Sequence, residues 1–325
     1  MLPAPCFDPI LVNVMGHAAP DRELPRSPAE RPVTAFSFVR KRAWALRRLL
    51  RPRQWVKNGL VFAALLFSGR LTDIASAELT ILTFIGFCLA SSAAYSLNDS
   101  IDAEKDRRHP KKRFRPVAMG LISPLQAKIT AAILAAAALA LGTFVDRTVG
   151  VLIALYLCLN VIYSLALKRY VILDIMGIAA GYVLRAVAGA EAIHVELSLW
   201  FLVCVPLLSL FLAAAKRRHE LVALDEAVSY RGVLTEYSTQ LLDQILAALS
   251  AAIIITYFLY SKDSAKPHLL MATSPLVIYG VFRYLYLVYK RPEESSPDES
   301  MFSDVPLLVT VALWAVAAVV VLYIA

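Results

Sequence analysis

Cysteine is scarce in this chain, and no pattern puts it to use. The 325 residues include only Cys6, Cys88, Cys158 and Cys204, with no CxxC pair and three of the four inside apolar runs. A disulfide framework and a thiolate zinc site are both disfavoured. The five histidines show no metal-ligand spacing. There is no Ser-His-Asp or Cys-His arrangement, no Walker loop and no nucleic-acid motif. The N-terminal stretch lacks a positively charged segment leading into an apolar core, so it does not read as a signal peptide. Residues 1–39, rich in proline and polar side chains, read instead as a disordered cytoplasmic extension.

What the chain does have is apolar side chain, in long blocks. It is 59% hydrophobic with a mean hydropathy of +0.63, more than a soluble domain carries. Residues 40–325 read as an all-α, polytopic membrane domain of nine transmembrane helices. The expected spans run from Trp55 to Leu71, Ala77 to Leu97, Leu125 to Val145, Thr148 to Leu167, Leu173 to Ile193, Leu197 to Ala215, Leu241 to Tyr260, Leu269 to Tyr289 and Val305 to Ala325. Most Lys and Arg fall in the tail and in alternate loops. The opposite connections hold only Arg70, Arg147, Lys262 and Lys266. The positive-inside rule then puts the N-terminus and the charged loops in the cytoplasm. From Arg40 to Arg53 the chain is basic with apolar residues interleaved. That suits an amphipathic helix on an anionic leaflet, or simply the positive flank of the first span. Gly177, Gly181 and Gly189 share helical spacing, which permits close helix packing and leaves self-association into a homo-oligomer open.

Charge concentrates in one stretch, from Asn98 to Pro116. Asp99, Asp102 and Asp106 lie at i, i+3 and i+7, on one helical face, with Asn98 a turn before Asp102. Seven bases follow between Lys105 and Arg115. Carboxylates on one face repel unless a cation intervenes. Mg²⁺ suits them because it takes few carboxylates and completes its shell with water and substrate phosphates. The neighbouring Lys/Arg cluster would hold the remaining phosphate charge. This reads as a metal–diphosphate site at a membrane surface; the plainer reading is a solvated loop of mixed charge.

Other charged groups sit within or beside spans, where they are expensive and usually functional. Asp174 and Arg185 share a face of the fifth span, as substrate ligands or as an interhelical ion-pair network. Tyr163 and Lys168 close the fourth span, and Lys168 is equally a positive flank. Lys57 and Asn58 open the first, beside Gln54-Trp55, which also fits an interface anchor. The loop after the sixth span, from Lys216 to Tyr237, mixes bases with carboxylates without the regular acid spacing. Its best candidates are Lys216 and Arg217. The tripeptide Arg217-Arg218-His219 matches Arg107-Arg108-His109 by chance, but the four-helix offset of the two charged loops is a slight hint of a duplicated half. The inventory suits displacement of diphosphate from a carbon that can bear positive charge.

The spacing Asn98-Asp99-x-x-Asp102-x-x-x-Asp106 resembles the first aspartate-rich motif of the UbiA superfamily of intramembrane prenyltransferases. Three further stretches resemble its decaprenyl-phosphate phosphoribosyltransferase branch. They are Arg51-Pro52-Arg53-Gln54-Trp55-Val56-Lys57-Asn58, the block from Asp106 to Pro116, and Tyr163-Ser164 with Lys168 and Asp174. The resemblance covers about residues 45–325. It implies a UbiA-like bundle with cytoplasmic active-site loops, multi-pass in the cell (inner) membrane. It also implies transfer of 5-phosphoribose from phosphoribosyl diphosphate (PRPP) to a polyprenyl (decaprenyl) phosphate with Mg²⁺. In actinobacteria that lipid feeds arabinan for cell-wall biosynthesis. By the same resemblance Asn98, Asp99, Asp102 and Asp106 hold Mg²⁺ and the diphosphate. Lys57, Lys112, Arg115 and Lys168 hold phosphates, and Tyr163 and Asp174 orient the ribose. The sequence departs from many superfamily members after the sixth span, where a second aspartate-rich motif is replaced by Lys216-Arg217-Arg218-His219-Glu220. That favours a phosphate-rich donor. The rival expectations are a UbiA-type aromatic prenyltransferase using a polyprenyl diphosphate and, in another class, a membrane transporter.

Overall fold

The computed structural model describes residues 35–109, 112–222, 234, 236–263, 267–290 and 303–323; side chains are described from residue 42, except that of Pro267. The expected extension at residues 1–39 lies almost wholly outside this range. The chain divides into two units, residues 1–41 and 42–325. Of the first, only the opening turns of helix α1 (Ala35–Leu50) are described.

Among the described residues there is no strand. Eight segments are long and apolar enough to cross a membrane. They are built from α3 (Ile74–Ile101), α5 (Pro124–Val145), α6 (Arg147–Leu165), α7 (Leu173–Ala192), α8 (Leu199–Val222), α9 (Thr239–Lys262), the pair α10 (Pro267–Met271) and α11 (Ser274–Lys290), and α12 (Val305–Tyr323). Short α4 (Ala103–Arg108) extends α3 beyond its span. The expected first span takes a different form. Pro52–Phe62 is a 3₁₀ helix, and only Ala63–Phe67, α2, is α-helical. At a rise of about 2.0 Å per 3₁₀ residue and 1.5 Å per α residue, this segment still reaches about 30 Å, the thickness of a hydrocarbon core.

Local sequence sets most of the boundaries. Asp73 caps α3 by accepting from the amides of Ala75 and Ser76. Ser123 and Gln126 form a reciprocal capping box ahead of α5, with Pro124 in the first turn. Asp146 caps α6 and Ser238 caps α9. The apolar interior falls into two clusters. One joins the first segment with α3, α5, α6 and α7 around Phe87, Ile153 and Tyr156. The other joins α8, α9, α11 and α12 around Phe211, Leu246 and Tyr284. Large side chains left exposed, such as Leu125, Ile129 and Ile133 along one stripe of α5, are the lipid-facing pattern of a spanning helix.

One close approach fixes the first segment. A Cβ on Gly189 would lie 2.0 Å from the carbonyl oxygen of Val61. Only glycine lets the 3₁₀ backbone lie directly on α7. At the next level Arg185 donates from Nε to Asn58 Oδ1 at 2.7 Å and from Nη2 to the Tyr156 hydroxyl at 2.8 Å. Asn58, fully buried, donates on to Ser91 Oγ and Cys88 Sγ. The 3₁₀ segment is thus tied to α3, α6 and α7 by polar bonds inside the span.

Candidate functional site

The site is assembled at the charged end of the bundle, from the C-terminal ends of α3, α6 and α8 and the N-terminal ends of the 3₁₀ segment and α7. Asp99 sits on the last turn of α3, Asp102 at its junction with α4, and Asp106 on α4. The helical bonds Asp102 N–H to Asn98 O and Asp106 N–H to Asp102 O carry the spacing across the junction. Arg115 confirms that Asp99 and Asp106 share a face. Its Nη1 lies 2.6 Å from Asp106 Oδ2 and 3.1 Å from Asp99 Oδ1.

Each aspartate of the motif is met by a base. Asp99, 1% exposed, also accepts from Arg51 Nη2 at 2.6 Å. Asp102 accepts from Lys168 Nζ on both oxygens, at 3.0 and 2.9 Å. Lys168 lies on the 3₁₀ turn Leu167–Arg169 that follows α6. So the block carries its own acid–base mesh, drawn from the first segment, the α3–α4 corner and the turn after α6.

Arg51 was legible in the sequence only as part of the family-like stretch. Its backbone is left-handed, φ 51° and ψ 57°, where a non-glycine residue is strained and usually held for a reason. It precedes Pro52, which disfavours helical geometry at that position. The strained backbone sets its guanidinium over the Tyr95 ring, 4.8 Å from the centroid, and against Asp99.

Among the described residues, no three Asp, Glu, His or Cys side chains converge as a ready-made metal shell. The donor chemistry nevertheless fits Mg²⁺, which needs one or two carboxylates and takes its other ligands from water and phosphate. Among the described residues, Asp99 Oδ2 is buried with no hydrogen-bond partner, an acceptor left open to a water or an ion. Asn98 lies on the same turn, half-buried.

A second buried network lies alongside. Asp174, in the first turn of α7 and 0% exposed, accepts from Arg217 Nε at 2.5 Å, from Tyr237 at 2.6 Å and from the Ile175 amide at 2.8 Å. Arg217 also donates from Nη1 to Glu220 at 2.7 Å and from Nη2 to the Tyr163 hydroxyl at 3.2 Å. Arg217 is 1% exposed. Its guanidinium therefore braces the ends of α6, α7 and α8. Gly177 faces Tyr163, where a Cβ would stand 3.1 Å from the ring, so that glycine lets α7 close on α6. Tyr237, at the end of the α8–α9 connection, has its hydroxyl held above the usual tyrosine range by burial and then by the bond to Asp174.

The remaining expected site residues are placed differently. Arg185 belongs to the Asn58–Tyr156 network inside the span, away from Asp174, so the two do not form one polar cluster. Lys57 is half-buried on the 3₁₀ segment, about 12 Å further into the bundle than Arg51 by the 3₁₀ rise. Lys112 is half-buried in the short turn Lys112–Phe114, and Lys216 is half-buried on α8. Asn58 and Tyr156 carry buried bonds, and Glu220 a half-buried one, that sequence spacing alone did not assign. Much of the α8–α9 connection, with Asp225, Glu226, Tyr230 and Arg231, lies outside the described residues.

Comparison with known proteins places this geometry. The model of the UbiA prenyltransferase family matches residues 59–304. The chain is 37% identical over 228 residues to the decaprenyl-phosphate phosphoribosyltransferase of Mycolicibacterium smegmatis, covering 68% of this chain and 72% of that one. It is 34% identical over 292 residues to the enzyme of the same name from Corynebacterium glutamicum, covering 85% and 86%. Among solved structures, a UbiA homolog from Archaeoglobus fulgidus bound to GPP and Mg²⁺ superposes with a TM-score of 0.67 at 20% identity, over 86% of this chain and 99% of that one. With the aspartate motif at the mouth of a helical bundle and a family match over most of its length, this integral membrane chain belongs to the UbiA prenyltransferase family.

Proposed function

We propose that this chain is an Mg²⁺-dependent phosphoribosyltransferase that moves 5-phosphoribose from PRPP to a polyprenyl phosphate. The bond from the anomeric carbon to the diphosphate oxygen breaks, and a bond from that carbon to a lipid phosphate oxygen forms. Diphosphate leaves with the bonding pair, and polyprenyl-phosphoryl-5-phosphoribose is the product. The acceptor phosphate is already anionic at neutral pH, so no general base is required.

The observation that carries this reading is the acid–base mesh: Asp99, Asp102 and Asp106 interleaved with Arg51, Arg115 and Lys168. Two anionic substrates need more positive charge than one, and here the bases outnumber what a bare metal site would use. The names of the relatives support the same donor and acceptor. Asn98, Asp99, Asp102 and Asp106 are the residues to hold Mg²⁺, which when bound neutralises the departing diphosphate. Arg115 and Lys168 then exchange carboxylate partners for phosphate oxygens, and Lys112 adds a further base beside them. Lys57, deeper along the first segment, and Lys216 suit the phosphate of the lipid. Tyr163 and Asp174 line the approach of the ribose, with Arg217 and Arg185 bracing from behind. The charged end faces the cytoplasm, where PRPP is met, and the membrane is the cell membrane. The Lys/Arg asymmetry of the loops supports that orientation.

The test is direct. The protein in detergent is incubated with labelled PRPP, Mg²⁺ and decaprenyl phosphate, and lipids are extracted. Mg²⁺-dependent label in an acid-labile lipid is the expected result. Transfer from a polyprenyl diphosphate to an aromatic acceptor, with none from PRPP, would overturn it.

A further inference from the structure

The link between α6 and α7 is a run of tight turns, and one residue in it is out of place. Ile172 has φ 69° and ψ −48°. The Leu173 amide donates to the Val171 carbonyl at 2.8 Å, closing a γ-turn of the positive-φ kind, the rarer and strained form. A β-branched residue is among the worst suited to positive φ. Glycine would take it freely, yet isoleucine stands there. Strained corners persist only where the surroundings over-determine them.

One oxygen supplies the restraint. The Ile172 amide donates to the Tyr237 hydroxyl at 2.7 Å, and that hydroxyl donates its own proton to Asp174 Oδ1 at 2.6 Å. The Tyr237 ring is seated with Leu242 against Val171, Leu221 and Leu241. The corner lies four residues after Lys168 and two before Asp174, and both are already paired: Lys168 with Asp102, Asp174 with Arg217. Tyr237 comes from the connection between α8 and α9, far along the chain.

We infer that Tyr237 is a positioning residue. Its hydroxyl clamps the strained Ile172 corner, and through that corner it holds Lys168 on Asp102 and Asp174 on Arg217. Its role in catalysis rests on the phosphoribosyl-transfer reading; the clamp itself does not.

Tyr237→Phe removes both hydrogen bonds and keeps the ring in its apolar seat. The expected result is a fall in kcat/KM for PRPP of about 100-fold, the scale of a reacting group displaced by about 1 Å. Ile172→Gly removes the strain without touching Tyr237, so the double variant should regain at least about ten-fold of that loss, by the logic of a double-mutant cycle. A residue that touches substrate itself, or only supports the fold, would not be rescued by glycine at 172. A second readout needs no substrate: amide exchange of the peptide spanning residues 168–174, expected to be about ten-fold faster in Tyr237→Phe. The inference is overturned if exchange in that peptide is unchanged, or if glycine at 172 leaves the kinetic defect in place. Should the wild-type protein transfer nothing from PRPP, the functional reading fails, and exchange alone decides the clamp: faster exchange upholds it, unchanged exchange ends it.

Discussion

Lys168 holds both carboxylate oxygens of Asp102, although the two residues are 66 positions apart. The pair pins the turn after α6 to the α3–α4 corner and puts a primary ammonium at the centre of the aspartate motif. Both side chains keep about a fifth of their surface exposed, so solvent can take over from either partner.

Asp102→Asn is therefore expected to abolish transfer while leaving the fold in place. It removes a charge from the proposed metal–diphosphate site, an effect on the order of 10²–10³ in kcat for a lost electrostatic contact. Labelled-PRPP transfer reads the activity, and a monodisperse detergent peak with an unchanged Tm reads the fold. Full activity in the variant would sink the metal-site assignment.

Removal of divalent metal should silence the enzyme without unfolding it. The aspartates have protein bases as partners, Arg51 and Arg115 for Asp99 and Lys168 for Asp102, so the corner does not depend on a metal for its shape. Chelation should bring transfer to background and added Mg²⁺ should restore it, with thermal unfolding shifted little. Transfer that survives chelation would count against Mg²⁺.

The helical bundle, the aspartate face and the close-packing glycines were legible in the sequence because each depends on short-range periodicity. Arg115 bridging Asp99 and Asp106 bears out the i, i+7 face, and α7 ends within a residue of its expected limit. The 3₁₀ form of the first segment was not legible. It follows from the contact of Gly189 with Val61 and from Arg185 holding Asn58, partners more than a hundred positions apart. Nor could periodicity show that Asp174 and Arg185, on one face of one helix, would be claimed by different neighbours. A buried charge takes its role from whichever helix packs against it.

Gly189→Ala should be among the most damaging single changes in the protein. The new methyl would meet a backbone carbonyl, which has no rotamer to yield, so the first segment must move off α7. Overpacking of this kind costs typically 1–3 kcal/mol and occasionally more. The expected signs are a lowered Tm in detergent and a lower yield of folded protein. Helix propensity alone would favour alanine over glycine at this position by about 1 kcal/mol, so an unchanged or raised Tm in Gly189→Ala would point away from the contact.

Arg217→Met should destabilise more than Asp174→Leu combined with it. Removing the guanidinium alone leaves the fully buried Asp174 carboxylate without its cation, a loss of about 3–5 kcal/mol. Taking out both charges restores an apolar contact and recovers part of that stability, though the Arg217 bonds to Tyr163 and Glu220 and the Tyr237 and Ile175 bonds to Asp174 remain lost. Chemical unfolding of the single and double variants measures the difference. If the double variant is no more stable than the single, the pair is not a buried charge couple.

The pH dependence of stability gives a separate view of Tyr237. Burial, and then the bond to Asp174, raise its hydroxyl above the ordinary tyrosine value, which is about 10. The protonated form is the one the fold favours. Its contribution is complete below the unfolded value and is lost as pH rises towards the displaced folded one. Wild type should therefore exceed Tyr237→Phe in stability by a constant margin from about pH 6 to 9, and the margin should shrink above about pH 10, where the unfolded tyrosine ionises and draws the equilibrium towards unfolding. Phenylalanine carries no proton, so the variant supplies the baseline against which other alkaline titrations cancel. A margin that instead grew above pH 10 would mean that the folded state prefers the tyrosinate, contrary to a hydroxyl that donates to Asp174.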